Sequence, residues 1–126
     1  MRRFALGALL AATLLAGCGK HTPSYTLAKS SACLREQSGV KLGGQLDFVA
    51  TTATGGAVRV RLHDNAVTLV FGQSQGDADN IDAAYRRFHA SNVGIDDVLR
   101  RQGNAVMLWQ QHPSDADLAT ITGCLE

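Results

Sequence analysis

The sequence predicts a small two-layer α+β sandwich, a mainly antiparallel sheet of three to four strands with about three helices. Three observations carry that reading. Val58, Val60 and Leu62 alternate with Arg59 and Arg61, and Val67, Leu69 and Phe71 resume the alternation, which is the period of strands with one buried and one wet face. Ile81, Ala84, Tyr85 and Phe88 recur at helical spacing. Residues 105–110, with Met107, Leu108 and Trp109, form a near-continuous apolar run of the length that suits a central strand covered on both faces.

The predicted order is α-(β)-β-β-α-(α)-β-α, brackets marking elements carried by fewer positions. A first helix is expected over 27–37, capped by Ser24 or Thr26 and stopped by Gly39. Residues 40–50 read as a strand, because Leu46, Phe48 and Ala50 alternate with polar or smaller residues, although Gly43-Gly44 interrupts the run. Residues 51–56, Thr-Thr-Ala-Thr-Gly-Gly, read as a loop. Asp64-Asn65 is placed as a hairpin turn, since both residues tolerate the left-handed backbone. A second helix over 78–90 has Asp77, Asp79 and Asp82 near its start and Arg86, Arg87 and His89 near its end, which matches the helix dipole. Asp82 and Arg86 stand four apart on it. Residues 95–101 read as a short helix with Asp96–Arg100 and Asp97–Arg101 pairs, ended by Gly103-Asn104. Pro113 and Ser114 open a last helix, with Asp117 three residues after Ser114 and with Leu118, Ile121 and Leu125 facing inward. The crossover through the second helix leaves the last strand free to run parallel to a hairpin strand, and helices are expected on one or both faces.

Upstream of this region Arg2 and Arg3 precede an apolar run over 4–16 that closes on Leu15-Ala16-Gly17-Cys18. The layout is that of a secretory signal peptide. A helix of about 13 residues spans roughly 20 Å, short of the roughly 30 Å bilayer core. Leu15-Ala16-Gly17-Cys18 resembles the lipobox of bacterial lipoprotein precursors. That resemblance implies removal of residues 1–17, lipidation at Cys18, and a membrane partner engaged through the lipid anchor at Cys18. It implies an extracytoplasmic protein tied to the cell membrane or, with Gly19 after the cysteine, an outer membrane. Arg2-Arg3 with Phe4 and Leu6 also has some likeness to a twin-arginine signal, but its spacing is imperfect and the general secretory route is the expectation. Residues 18–25 form the lipidated cysteine and a short tether whose seven residues after Cys18 reach about 25 Å at most. Residues 26–126 form one α+β domain.

Without Arg2 and Arg3, ten of the twelve basic residues remain against eleven acidic ones, a balance of −1 that gives nucleic acid no basic face to bind. With Cys18 set aside, Cys33 and Cys124 remain, an even pair in an exported chain, and a structural disulfide is the expectation. It would close a loop of about 90 residues, worth on the order of 4.5 kcal/mol by chain entropy.

No residue set carries a catalytic, metal or cofactor signature. His21, His63, His89 and His112 match no ligand spacing and fall in the tether, at turns or at helix ends, so surface roles are expected. Asp77, Asp79 and Asp82 have the density of a calcium loop but lack its glycine and terminal glutamate, and helix capping accounts for them. Asp96 and Asp97 read as partners of Arg100 and Arg101 rather than as a glycosidase pair. The 51–56 loop has the composition of an anion cradle without a phosphate-loop spacing. Trp109, the single tryptophan, reads as core packing. The function expected is therefore non-enzymatic binding, of an envelope protein or a small-molecule ligand. The alternatives are a small envelope hydrolase or other enzyme, with His63, Asp64 or the 51–56 loop lining a cleft, and a structural role in envelope maintenance.

Overall fold

The computed structural model describes residues 24–126, and the fold is α+β. The segment that resembles a lipobox, with Cys18, and His21 lie outside the described residues. Thr26 caps α1 (Leu27–Arg35) by accepting from the Lys29 backbone N–H, and Gly39 turns the chain at φ 76° into β1 (Lys41–Leu42). Next come α2 (Phe48–Thr51), β2 (Ala57–Arg61), β3 (Ala66–Phe71), α3 (Gln75–Phe88) and α4 (Ile95–Val98). Then β4 (Leu99–Gln102), β5 (Ala105–Trp109) and α5 (Asp115–Thr122) complete the domain. The sheet has five strands in the order β1-β2-β3-β5-β4, every neighbouring pair antiparallel.

Alternation along the strands builds two cores. Val67, Leu69 and Phe71 face Trp109, Met107 and Ala105 across the β3–β5 register, and this side packs on Leu34 of α1 and Ile121 of α5. Val70 and Val106 point the other way, toward Ala50 of α2 and Ala78, Ile81 and Tyr85 of α3. Helices thus cover both faces, which adds a layer to the expected two-layer sandwich and explains why every residue of β3 is buried.

Several expectations give way to longer-range pairing. The Asp96–Arg100 and Asp97–Arg101 spacing suits a helix, but residues 99–102 pair with β5 instead, and Gly103 (φ 56°) turns the hairpin. Arg101 then reaches Asp79 and the Gln75 carbonyl, while Arg100 donates to the Asp96 backbone carbonyl. The 40–50 strand shrinks to Lys41–Leu42, because Gly43 and Gly44 (φ 112° and 137°) lead the backbone out of the sheet and Asp47 starts a helical turn. The β2–β3 connection spans residues 62–65 and uses no left-handed non-glycine residue. Asn65 holds it by accepting from the Ala66 and Gln111 N–H groups and donating to the Gln111 carbonyl. β5 is interior but one strand off the centre; it pairs antiparallel with β3 and so runs in the same direction as β2, the hairpin strand it does not pair with.

The two ends of the domain meet. Thr26 N–H donates to the Glu126 carbonyl at 2.7 Å, and the Cys33 and Cys124 sulfurs lie at bonding distance with Cα atoms 5.3 Å apart. Buried Asn104 accepts from the Tyr25 N–H at 2.6 Å and donates to the Tyr25 and Gly72 carbonyls. The start of the domain is therefore fixed at the β4–β5 turn.

Candidate functional site

At the far end of β5 from that turn, an open groove of about 430 Å³ runs between the end of α3, the 89–94 connection, the start of α2 and residues 108–110. Phe88 closes the 14-residue helix α3, and its ring, placed on the apolar face by sequence, is 67% exposed. Asp47 caps α2 by accepting from Ala50 N–H at 2.9 Å, and this turn presents Phe48 at 76% exposure. Val93, in the turn closed by its N–H to the Ala90 carbonyl, is 41% exposed. Among the described residues these are the exposed large apolar side chains, and all three line this one groove.

Polar groups at the groove are few. The Tyr85 hydroxyl donates to both Asp47 carboxylate oxygens, at 2.9 and 3.1 Å, tying α3 to α2. Burial, and then the Asp47 charge, hold the phenol well above the ordinary tyrosine range, so it stays protonated. His89 lies 2.8 Å by Nδ1 from the Ala90 carbonyl, which can only accept, so that nitrogen carries the proton. Gln110 accepts from Arg59, which also donates to Thr68. The guanidinium of Arg87 lies 5.4 Å from the Phe88 ring centroid. The connection from α3 to β4 is held outside the groove by Arg86, which bridges Asp82 and Asp96 at 2.7 and 2.5 Å. Its guanidinium proton is held more tightly than usual, first by Asp96 and then by Asp82. Asp97 meets His112 at 2.7 Å.

The residues singled out by sequence are scattered. His63 stands at an exposed turn beside Asp64, His112 pairs with Asp97, and only His89 lines the groove. Asp77, Asp79 and Asp82 turn to three different partners, namely Thr54 with the Gln73 N–H, Arg101, and Arg86. Among the described residues no three His, Cys, Asp or Glu side chains gather in a metal-binding arrangement. In the 51–56 loop the Gly55 and Gly56 N–H groups are taken by the Phe71 and Ala53 carbonyls, which removes them from an anion cradle. Thr52, Ala53 and Thr54 border a cleft of about 220 Å³ against α3 in which no histidine stands. A shallow depression of about 560 Å³ lies beside Arg59, Arg61 and Gly44. Trp109 is buried in the core on the α1 and α5 side, and its indole N–H has no partner among the described residues. Phe48 and Val93 were not among the residues marked for function. An isolated valine in Ala-Ser-Asn-Val-Gly, and an aromatic directly after an Asx cap, are the signals that point to them.

The fold and groove define a class, a small disulfide-linked α+β domain with one predominantly apolar recess at the end of its sheet. No family model, curated protein or solved structure matches the chain.

Proposed function

We propose that this protein is a non-enzymatic binding domain whose binding site is the groove between α2, α3 and the end of β5. The gathering of Phe48, Phe88 and Val93 at one recess carries the reading. Exposed apolar side chains scattered singly need no explanation, whereas a contiguous apolar surface in a recess with few polar groups is the form of a binding site. The titratable groups present favour binding over catalysis. Asp47 is engaged as helix cap and tyrosine acceptor, Tyr85 holds its proton, and His89 faces no nucleophile partner among the described residues.

Covering what remains exposed of the three side chains would remove roughly 300 Å² of apolar area from water, about 7.5 kcal/mol gross. Association itself costs about 4–15 kcal/mol. Apolar contact alone therefore supports weak binding, and polar contacts at the rim must supply the rest. The lipobox resemblance supports attachment of the domain to an extracytoplasmic membrane surface through Cys18, which mass spectrometry of the protein's mature amino terminus tests directly. The groove is tested with the solvatochromic probe 1-anilinonaphthalene-8-sulfonate. Saturable binding to the wild-type chain, lost in Phe48→Asp with thermal unfolding unchanged, is the expected result. Equal binding by that variant would overturn the reading.

A further inference from the structure

We propose that the depression beside Arg59 and Arg61 is a second binding site, and that it takes a phosphate group carrying two negative charges. It is separate from the apolar groove and does not depend on it. Val58 and Val60 pack toward α1 and α5, so Arg59 and Arg61 stand on the opposite face of β2. The β1–β2 register places Lys41 directly across from Arg61, on that same face. Between Arg59, Arg61 and the 44–47 segment lies the depression, about 560 Å³.

Two observations point to an anion. Like charges directly opposite each other across an antiparallel pair destabilise it. Lys41 and Arg61 are both exposed, and among the described residues neither has a hydrogen bond or an ion pair to offset that repulsion. An anion held between them turns the repulsion into attraction on both sides. The second observation is the state of Arg59, which is half-buried and already fixed. Its stem passes close over Gly44, where a Cβ would stand 3.0 Å from Arg59 Cγ. Its guanidinium donates to Thr68 at 2.9 Å and to Gln110 at 3.1 Å. Both acceptors are neutral, so the charge is left over, and a ligand need not order the side chain to use its remaining N–H groups.

The charges around the depression decide the class of ligand. Asp47 lines it, with its oxygens accepting from the Tyr85 hydroxyl and Ala50 N–H, and Asp64 beyond β2 turns to His63. Lys41, Arg59 and Arg61 against Asp47 leave an excess of two positive charges. A phosphomonoester carries about −1.5 to −2 at neutral pH and matches that excess. A single carboxylate or sulfonate leaves half of it unmatched. Guanidinium N–H groups also suit phosphate oxygens, to which they donate in pairs.

The test is isothermal titration calorimetry on the chain in the form its host cell makes, held in phosphatidylcholine nanodiscs at constant ionic strength. The probes are inorganic phosphate, glycerol 1-phosphate, acetate and vesicles containing phosphatidic acid. Saturable binding of both soluble phosphates, with acetate much weaker, is the expected result. Arg61→Gln and Lys41→Gln should each weaken it about tenfold, the size of one charge-assisted hydrogen bond. In phosphate-free buffer both variants should unfold no lower than the wild type, because the like-charge pair is gone. Phosphatidic acid bound with the same dependence on Arg61 makes a lipid headgroup one source of the phosphate, and soluble phosphates bound without it make the ligand a free ester; both support the site. Acetate bound as tightly as phosphate overturns the choice of a dianion. Phosphate bound equally by both variants, no phosphate binding at all, or vesicles bound with no response to soluble phosphate overturns the site. Either variant unfolding lower than wild type overturns the like-charge strain on which the site is argued.

Discussion

Replacing Asp47 by alanine removes two interactions at once, and their sizes can be worked from the structure. The Asp47 carboxylate accepts from Ala50 N–H, the cap of α2, and loss of such a cap costs about 1 kcal/mol. It also accepts the hydroxyl of Tyr85, a residue only 5% exposed, and a buried hydroxyl stripped of its acceptor costs about 2 kcal/mol. Asp47→Ala is therefore expected to destabilise by about 3 kcal/mol, and Tyr85→Phe alone by about 1 kcal/mol. Combining the two should recover stability relative to Asp47→Ala, because the stranded hydroxyl is gone, giving a coupling of about 1.5–2 kcal/mol. Urea unfolding of the four proteins measures this, with the midpoint shifting while the slope stays constant. For a domain of this size about 3 kcal/mol corresponds to a fall of roughly 15 °C in Tm. A cost below about 0.5 kcal/mol for Asp47→Ala, with additive effects in the double variant, would refute the assignment of Asp47 as the tie between α2 and α3.

Two further outcomes follow from the same geometry. The raised proton affinity of folded Tyr85 means that folding favours the protonated phenol. Its contribution is complete below the ordinary tyrosine pKa near 10 and falls as pH rises past it, so stability should decline above about pH 10, a slope that Tyr85→Phe removes in alkaline unfolding titrations. Replacing both Cys33 and Cys124 by serine opens a loop of 91 residues, and should cost up to about 4.5 kcal/mol in thermal or urea unfolding, against no effect of a reductant on the variant. A reductant that leaves the wild-type melting curve unmoved would contradict the bridge.

What the sequence made legible was local or strongly periodic. The β2–β3 pair shows because Val58/Val60 and Val67/Leu69 alternate, and α3 because Ile81 and Tyr85 face the sheet while Asp82 meets Arg86 one turn on. Ser114 caps α5 through Asp117 N–H, which its position after Pro113 suggests. Elements decided by distant partners were not legible. Residues 99–102 carry helix-like charge spacing, yet the exposed edge of β5 claims them as a strand, and their arginines turn to other partners. Phe48 looked like one tooth of a strand because Leu46, Phe48 and Ala50 alternate; only the left-handed Gly43 and Gly44 and the Asp47 cap make it the exposed end of a helical turn. The groove was hidden for the same reason. It depends on α2 meeting the end of α3 through Asp47 and Tyr85 and on both meeting the end of β5, and no local pattern records either. The second helical layer came from α1 and α5 sharing one face while α2 and α3 took the other.

The central claim is that the recess holding Phe48, Phe88 and Val93 is where this protein binds. A ¹⁵N–¹H NMR titration of the chain with 1-anilinonaphthalene-8-sulfonate tests it most directly, because every backbone amide reports at once. The account predicts saturable shifts confined to residues 47–49, 85–95 and 108–110. Shifts centred on Arg59, Arg61 and the 43–46 loop, or spread evenly over the surface, would contradict it.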